Sequence, residues 1–265
     1  MYKKYLILAS KQDPAGVNIA MAFSQFNLPN AETWFIDTEI FDDSGINPDL
    51  INKYDFVIFA SKHQSAKGGK TLSVHAPGNF RKAELGGEPN KVCPTSALFQ
   101  KALFEELDKQ VGENSLRNYQ VTLECTHHGP LINKPCVFIE IGATPVEWKD
   151  KRAAFIIAKT IKETIQNFVP DPHREIAIGI GGPHYCPNFN QIQLKSNFAI
   201  SHIVPSYVLP ITEENIQEII FKTEEELDLV LLDWNGLGPE ESRKQITDIL
   251  DKNHLNYKKI KEIKK

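Results

Sequence analysis

The chain of 265 residues holds only four cysteines, Cys93, Cys125, Cys136 and Cys186, and no two form a C-x-x-C pair. That spacing gives no support for a disulfide framework or a cysteine-only zinc knuckle, and it fits a reducing cytoplasm. No apolar run approaches the ~20 residues that span a bilayer, so no membrane partner is expected. The opening "MYKKYLILAS" reads as a first strand, because a signal peptide would carry a longer apolar run and a small-residue cleavage site. There is no G-x-S-x-G elbow, no H-E-x-x-H helix and no serine in a triad setting. "GIGGPHY" lacks the lysine and hydroxyl residue of a P-loop, and "SAKGGKT" lacks the upstream glycine and a strand at the right distance. Internal repeats and low-complexity linkers are missing too. One absence is local. Between Asp55 and Glu84 there is no acidic residue, while Lys62, Lys67, Lys70, Arg81 and Lys82 all fall in that gap. In a chain of net charge −4 this makes a local positive field of the kind phosphates respond to, unless it is simply a solvated loop.

What is present reads as α/β. Hydrophobic content of 41% and charged content of 24% are ordinary for a globular protein with a substantial core. Short apolar runs rich in branched residues recur: "YLILAS", "FVIFAS", "VTLEC", "PCVFIEIG", "EIAIGIG", "FAISHIV" and "LDLVLLD" are expected strands. Helices alternate with them. Thr144-Pro145-Val146-Glu147 is a capping box opening a helix whose apolar set runs from Val146 to Phe168. Thr95 is expected to cap a helix through Leu107, Thr223 with Glu226 to form another capping box, and Gly238-Pro239 to start a last helix. The stretch 61–93 has no clear periodicity and is expected to be a long functional loop. The final "KKIKEIKK" reads as a solvated basic end.

Unusual chemistry gathers where strands end. "LECTHHGP" puts His127 and His128 side by side after Glu124 and Cys125; "FVIFAS" leads into Lys62 and His63; "IAIGIG" leads into Gly181, Gly182, His184 and Cys186. In open α/β sheets ligands collect beyond the carboxyl ends of strands, so these residues are expected to share one rim if the strands are neighbours. An adjacent histidine pair suits a metal or catalytic role, although in an extended strand the two cannot face the same way. Cys125 with His127, and His184 with Cys186, are weaker ligand pairs than C-x-x-C. Glu140 lies inside an apolar strand, where a carboxylate needs a cation, a metal or a raised pKa; Glu124 carries the same readings. Thr144 stands at a helix N-terminus that could receive an oxyanion, or simply caps it. Gly181 and Gly182 allow close backbone approach or make a plain tight turn. His75 lies between an apolar run and a Pro-Gly turn. His202 reads as a core histidine, and His173 and His254 as surface residues.

These segments carry a resemblance. "SKHQSAKGGKTLSVHAPGNF", "LECTHHGP", "FIEIGATPVEW" and "GIGGPHYCPNF", with "ILASKQDPAG" near the start, resemble the archaeal and plant type of D-aminoacyl-tRNA deacylase. The resemblance implies a cytoplasmic hydrolase that cleaves the ester joining a D-amino acid to the 3′-terminal ribose of tRNA. It implies zinc dependence, and a three-layer mixed sheet related to phosphorylase and peptidyl-tRNA hydrolase enzymes with an extra N-terminal α/β lobe. We accordingly expect a lobe over 1–87 and a catalytic core over 88–265, acting as a monomer on the tRNA acceptor end. Residue chemistry, and not the resemblance, supplies the site expectations. His127, His128, Glu140 and Thr144 are expected to be catalytic, and His63, His75, His127 and His184 to bind metal. Lys62, Lys67, Lys70, Arg81, Gly181 and Gly182 are expected to meet the tRNA or substrate. Two alternatives stand beside this: a zinc peptidase or amidohydrolase of similar architecture, and a non-enzymatic tRNA- or nucleotide-binding module with a structural metal.

Overall fold

The computed structural model describes residues 2–65 and 68–263, so the Lys67 expectation lies outside the described residues. The elements run β1 (Tyr5–Ser10), α1 (Pro14–Ser24), β2 (Ala31–Ile36), α2 (Pro48–Ile51), β3 (Phe56–Lys62), β4 (Thr71–His75), α3 (Ala97–Glu113), β5 (Gln120–Leu123) and β6 (Cys136–Gly142). They continue α4 (Pro145–Trp148), α5 (Lys151–Asn167), β7 (Glu175–Ile180), α6 (Pro187–Lys195), β8 (Phe198–Val204), α7 (Glu213–Lys222), β9 (Leu229–Leu232), α8 (Glu240–Lys252) and β10 (Tyr257–Lys259). Among the described residues these strands form two sheets. A six-stranded sheet has the order β2-β1-β3-β6-β4-β5, and a four-stranded sheet the order β10-β9-β7-β8. In the first, β4 runs antiparallel to β6 while β1, β2, β3 and β6 are mutually parallel. The second is parallel throughout.

This is the expected mixed α/β architecture, but the division falls elsewhere than at residue 87. Strands β3 and β4 pair with β6 across that point. The first three strands are therefore integral to the large sheet, and the separate smaller sheet is built from the C-terminal third. The stretch 61–93 is also not one long loop. Residues 71–80 are buried throughout, and Thr71–His75 is a central strand between β6 and β5. Its acid-free composition therefore belongs partly to the sheet interior.

The alternation of side chains assigns each face of the large sheet a different task. Ile7, Ile58, Ala60, Val74, Val137 and Ile139 point toward α1, α3 and α5 and join the main core. On the other face Val57, Phe59, Cys136 and Phe138 pack a smaller core. Two residues further along that same face the apolar set gives way to Ser61 and Glu140, which are register partners, with Ser73 opposite Glu140 and His75 opposite Phe138. A face that is apolar at one end and polar at the other is the platform on which the site stands.

Several helix boundaries differ from the sequence expectations, each for a local reason. The Thr144 capping box exists but opens a helix of one turn, α4; Asp150 then accepts from Arg152 N (2.9 Å) and Ala153 N (3.2 Å) and starts α5 afresh. Ser96, not Thr95, caps α3 by accepting from Phe99 N at 3.0 Å, and Glu225 also accepts from Ala97 N at 2.9 Å. Thr95 instead donates to the Cys136 carbonyl at 2.8 Å. Thr223 ends α7 and does not begin a helix. Pro239 does precede the last helix, which buries Ile246 and Leu250. Part of the expected basic end is the short strand β10.

Candidate active site

Glu124 is the hub of the site. It follows β5 directly, held there by its own N–H to the Val74 carbonyl at 3.0 Å, and its carboxylate is buried. Oε1 lies 3.0 Å from His63 Nδ1. Oε2 lies 2.9 Å from His184 Nε2 and 3.5 Å from His127 Nε2. These approaches fall outside hydrogen-bond geometry, so both oxygens are buried without a hydrogen-bond partner. Glu140 flanks the same histidines: its Oε2 is 3.6 Å from His63 Nδ1 and 3.7 Å from His75 Nε2.

The His127-His128 pair faces one way because the chain leaves the extended conformation there. His128 has φ of +44°, a left-handed value that costs a non-glycine residue roughly 1 kcal/mol or more and is common at functional sites. The twist brings the two ring centroids to 4.3 Å, with His75 4.3 Å from His127 and His184 4.6 Å from it. Three of these rings are oriented by backbone carbonyls. His75 Nδ1 lies 3.2 Å from the Ala76 carbonyl, His127 Nδ1 2.8 Å from that of Cys125, and His128 Nδ1 2.6 Å from that of Gly129. A carbonyl only accepts, so each Nδ1 carries a proton; in His127 and His128, which burial keeps neutral, Nε2 then presents a lone pair, the tautomer a metal ligand requires. Tyr185 Oη is 2.8 Å from His63 Nε2. Cys125 Sγ is 3.5 Å from His184 Nδ1 and 3.1 Å from Tyr207 Oη.

The charges balance. Burial works against a charged His63, yet Glu124 and Glu140 outweigh it and push its pKa up to about 11. Burial opposes His184 too, but Cys125 and Glu124 raise it to about 10. Burial alone would raise Glu124, but the imidazoles of His184 and His63 outweigh it and hold the carboxyl well below the usual carboxylate range. Glu140 is lowered the same way, against its burial, by His63 and His75. Burial, reinforced by neighbouring imidazoles, drives His127 well down, and burial with His75 pushes His128 to about 4. Two imidazolium ions thus face two carboxylates, with two neutral imidazoles beside them.

This cluster forms one side of a cavity of about 420 Å³ lined by Ser61, Lys62, His63, Gln64, His127, His128, Glu140 and His184, with Glu39, Ile40, Phe41 and Leu85 around the remainder. The structure therefore brings together His63, His75, His127, His128, His184 and Glu140, with Lys62 on the wall. They do not meet as ends of neighbouring strands: β5 runs opposite to β3, Glu140 is inside β6, and His184 follows β7 of the other sheet. The other expected site residues lie apart from the lining. Thr144 donates to Glu147 Oε2 at 2.6 Å and accepts from Val146 N, which is ordinary capping. Gly181 and Gly182 form a buried left-handed turn against Asp233 and Gly236. Lys70 is exposed and 5.6 Å over the Tyr119 ring, and Arg81 donates to the Leu209 carbonyl at 2.8 Å. His202 is fully buried beside Thr126 Oγ1 at 3.1 Å, and burial pushes its pKa down to about 3, as a core histidine should behave.

Sequence reasoning underweighted Glu124 and missed Glu39, Ile40, Phe41, Leu85 and Tyr207. Tyr185 had a signal, its adjacency to His184. The apolar loop residues had none, since nothing in "EIFDD" or "AELGG" says which loop will face the histidines.

A family model described as D-aminoacyl-tRNA deacylase matches residues 50–258. A protein of Methanocaldococcus jannaschii with that name is 30% identical over 265 residues, covering 97% of this chain and 100% of its own. Another so named, from Cenarchaeum symbiosum, is 31% identical over 245 residues, covering 90% and 93%. A crystal structure of a conserved protein of unknown function is similar across 98% of this chain and 96% of its own, with a TM-score of 0.89 and 26% identity. Matching the family model over most of its length, and its curated relatives nearly end to end, this chain belongs to the D-aminoacyl-tRNA deacylase family.

Proposed function

We propose that this protein hydrolyses the ester of D-aminoacyl-tRNA, releasing free tRNA and a D-amino acid. One observation carries the reading beyond family membership: Glu124, buried and without a hydrogen-bond partner, faces three imidazoles beside an open cavity. Holding a buried carboxylate and its imidazole partners at the edge of an open cavity, with hydrogen-bonding capacity left over, is costly, and such a centre is built for chemistry.

The donor set fits zinc. His75 Nε2 and both Glu124 oxygens are buried without a hydrogen-bond partner, and two separate trios converge with donor atoms within 4.8 Å: His63, Glu124 and His184, and His75, His127 and His128. Histidine and carboxylate donors are those zinc takes in catalytic sites. Bound there, zinc would supply a water of pKa about 7 and polarise the ester carbonyl. The chain's own groups do the rest. Glu140, charged and on the cavity wall, takes a proton from the attacking water. His128, with Nδ1 fixed on Gly129, keeps the Nε2 lone pair free to take that proton from Glu140 and deliver it to the departing ribose oxygen, which leaves Glu140 a carboxylate again and His128 neutral. Lys62 and the basic surface after it receive the phosphates of the acceptor end. The four free cysteines, all buried, support a reducing cytoplasm, where we place a monomeric enzyme. Among the described residues no helix is long and apolar enough to cross a membrane. We read the mixed sheet as kin to the phosphorylase and peptidyl-tRNA hydrolase architecture implied by the resemblance.

A deacylation assay on matched D- and L-tyrosyl-tRNA, with and without chelator, tests this. Release of the D-amino acid alone, abolished by chelation and restored by zinc, is expected. Peptide cleavage without ester cleavage, or RNA binding without turnover, would overturn it.

A further inference from the structure

The cavity has a second wall that the hydrolytic groups leave unused. Ile40, Phe41 and Leu85 supply it, and Glu39 lies beside them. The Phe41 ring is 6.4 Å from that of His128. Leu85 is 52% exposed and lines the cavity, so its apolar surface is available to whatever enters.

This wall is stiff. The Asp43 carboxylate accepts from Gly87 N at 2.5 Å and from Leu131 N at 2.6 Å. Gly129 N, next to His128, donates to the Leu85 carbonyl at 2.8 Å. Gly86 has φ of +69°, and a Cβ there would overlap the Phe41 carbonyl. Residues 39–43, 85–87 and 129–131 are thus pinned into one unit fixed relative to the histidines. Glu39 is 3.3 Å from Lys62 Nζ, yet a carboxylate has four acceptor positions and can take a second cation.

We propose that the cavity reads the aminoacyl group at three points. The ester carbonyl goes to the Glu124–histidine cluster, the α-ammonium to the Glu39 carboxylate, and the side chain to the Ile40–Phe41–Leu85 wall. This rests on the deacylase reading above and extends it to the substrate class: D-aminoacyl esters with large apolar or aromatic side chains. Two fixed points fit either enantiomer of a tetrahedral centre; only a third decides between them, and it must not move. A pinned apolar wall beside a carboxylate meets that requirement, and the apolar area supplies the preference for size.

The test compares kcat/KM for D-tyrosyl-, D-alanyl- and L-tyrosyl-tRNA in the wild type, Leu85→Ala and Glu39→Gln. Leu85→Ala should cost D-tyrosyl-tRNA roughly tenfold and D-alanyl-tRNA less than about threefold. Glu39→Gln should lower the D-over-L preference on tyrosyl-tRNA by roughly tenfold. An unchanged substrate ratio in either variant, with the wild type active, overturns the three-point assignment. A wild type inactive on every D-aminoacyl-tRNA overturns the deacylase reading instead. Because each readout is a ratio within one variant, a general loss of folded enzyme does not move it.

Discussion

Glu124 can be exchanged for glutamine with almost no change in volume, which isolates the role of its charge. In the native cluster it is the common partner of His63, His127 and His184. Glu124→Gln should lower turnover by roughly 10–100-fold, because the imidazoles lose the anion that orients them. Circular dichroism should still show the native fold; wild-type turnover would remove Glu124 from the mechanism. At this scale the site was half legible. Histidines announce themselves, being scarce and chemically specific, and five of the eight in the chain meet here. A glutamate after a short strand does not, because the same letter is far more often a solvated surface group. Phe41 and Leu85 were illegible for a stronger reason: an apolar side chain in a loop acquires meaning only from what the fold places opposite it.

Among the elements, the junction of α1 with the end of β3 controls how His63 is presented. Asp13 is fully buried; Oδ1 accepts from Ala15 N and Gly16 N at 2.9 and 3.0 Å, and Oδ2 accepts from Lys62 N at 2.7 Å and Ser61 Oγ at 3.1 Å. One carboxylate therefore caps a helix and fixes the residue before His63. Asp13→Asn keeps a single acceptor oxygen and should cost about 1–3 kcal/mol of stability together with a measurable drop in kcat. Equilibrium unfolding in urea alongside a rate assay checks both, and wild-type values in both would refute the link. Strands with long apolar runs were readable from sequence because full burial leaves no polar position. β4 escaped because its alternation, with Leu72 and Val74 on the core face and Thr71, Ser73 and His75 on the other, spans only five residues between glycine- and proline-rich segments. The helix starts slipped where a neighbouring capper won: Ser96 over Thr95, and Asp150 resuming a helix that Thr144 had opened.

At the level of the whole molecule, the protein is acidic on balance yet presents one cation at its cavity and others on its surface. Lys62 lines it, and Lys70 and Lys82 are exposed. If these receive the acceptor stem, Lys70→Glu with Lys82→Glu should weaken tRNA binding and reduce the slope of log affinity against log salt by about one for each phosphate no longer engaged. Filter binding over a salt series measures this, and an identical slope would assign docking to another face. The α/β class was legible from strand and helix alternation, whereas the existence of two sheets was not. That depends on which strands pair, and pairing partners far apart in sequence leave no local trace.

The site draws on both sheets, and this has a consequence for synthesis on the ribosome. His63, His75, Glu124, His127 and Glu140 all emerge well before His184, whose loop is set by β7 and whose neighbour Cys125 donates its N–H to the His184 carbonyl at 2.9 Å. A nascent chain that has exposed the entire six-stranded sheet still lacks the imidazole nearest the central carboxylate. Hydrolytic competence should therefore switch on late in translation, only when the last third of the polypeptide has left the exit tunnel and closed the centre.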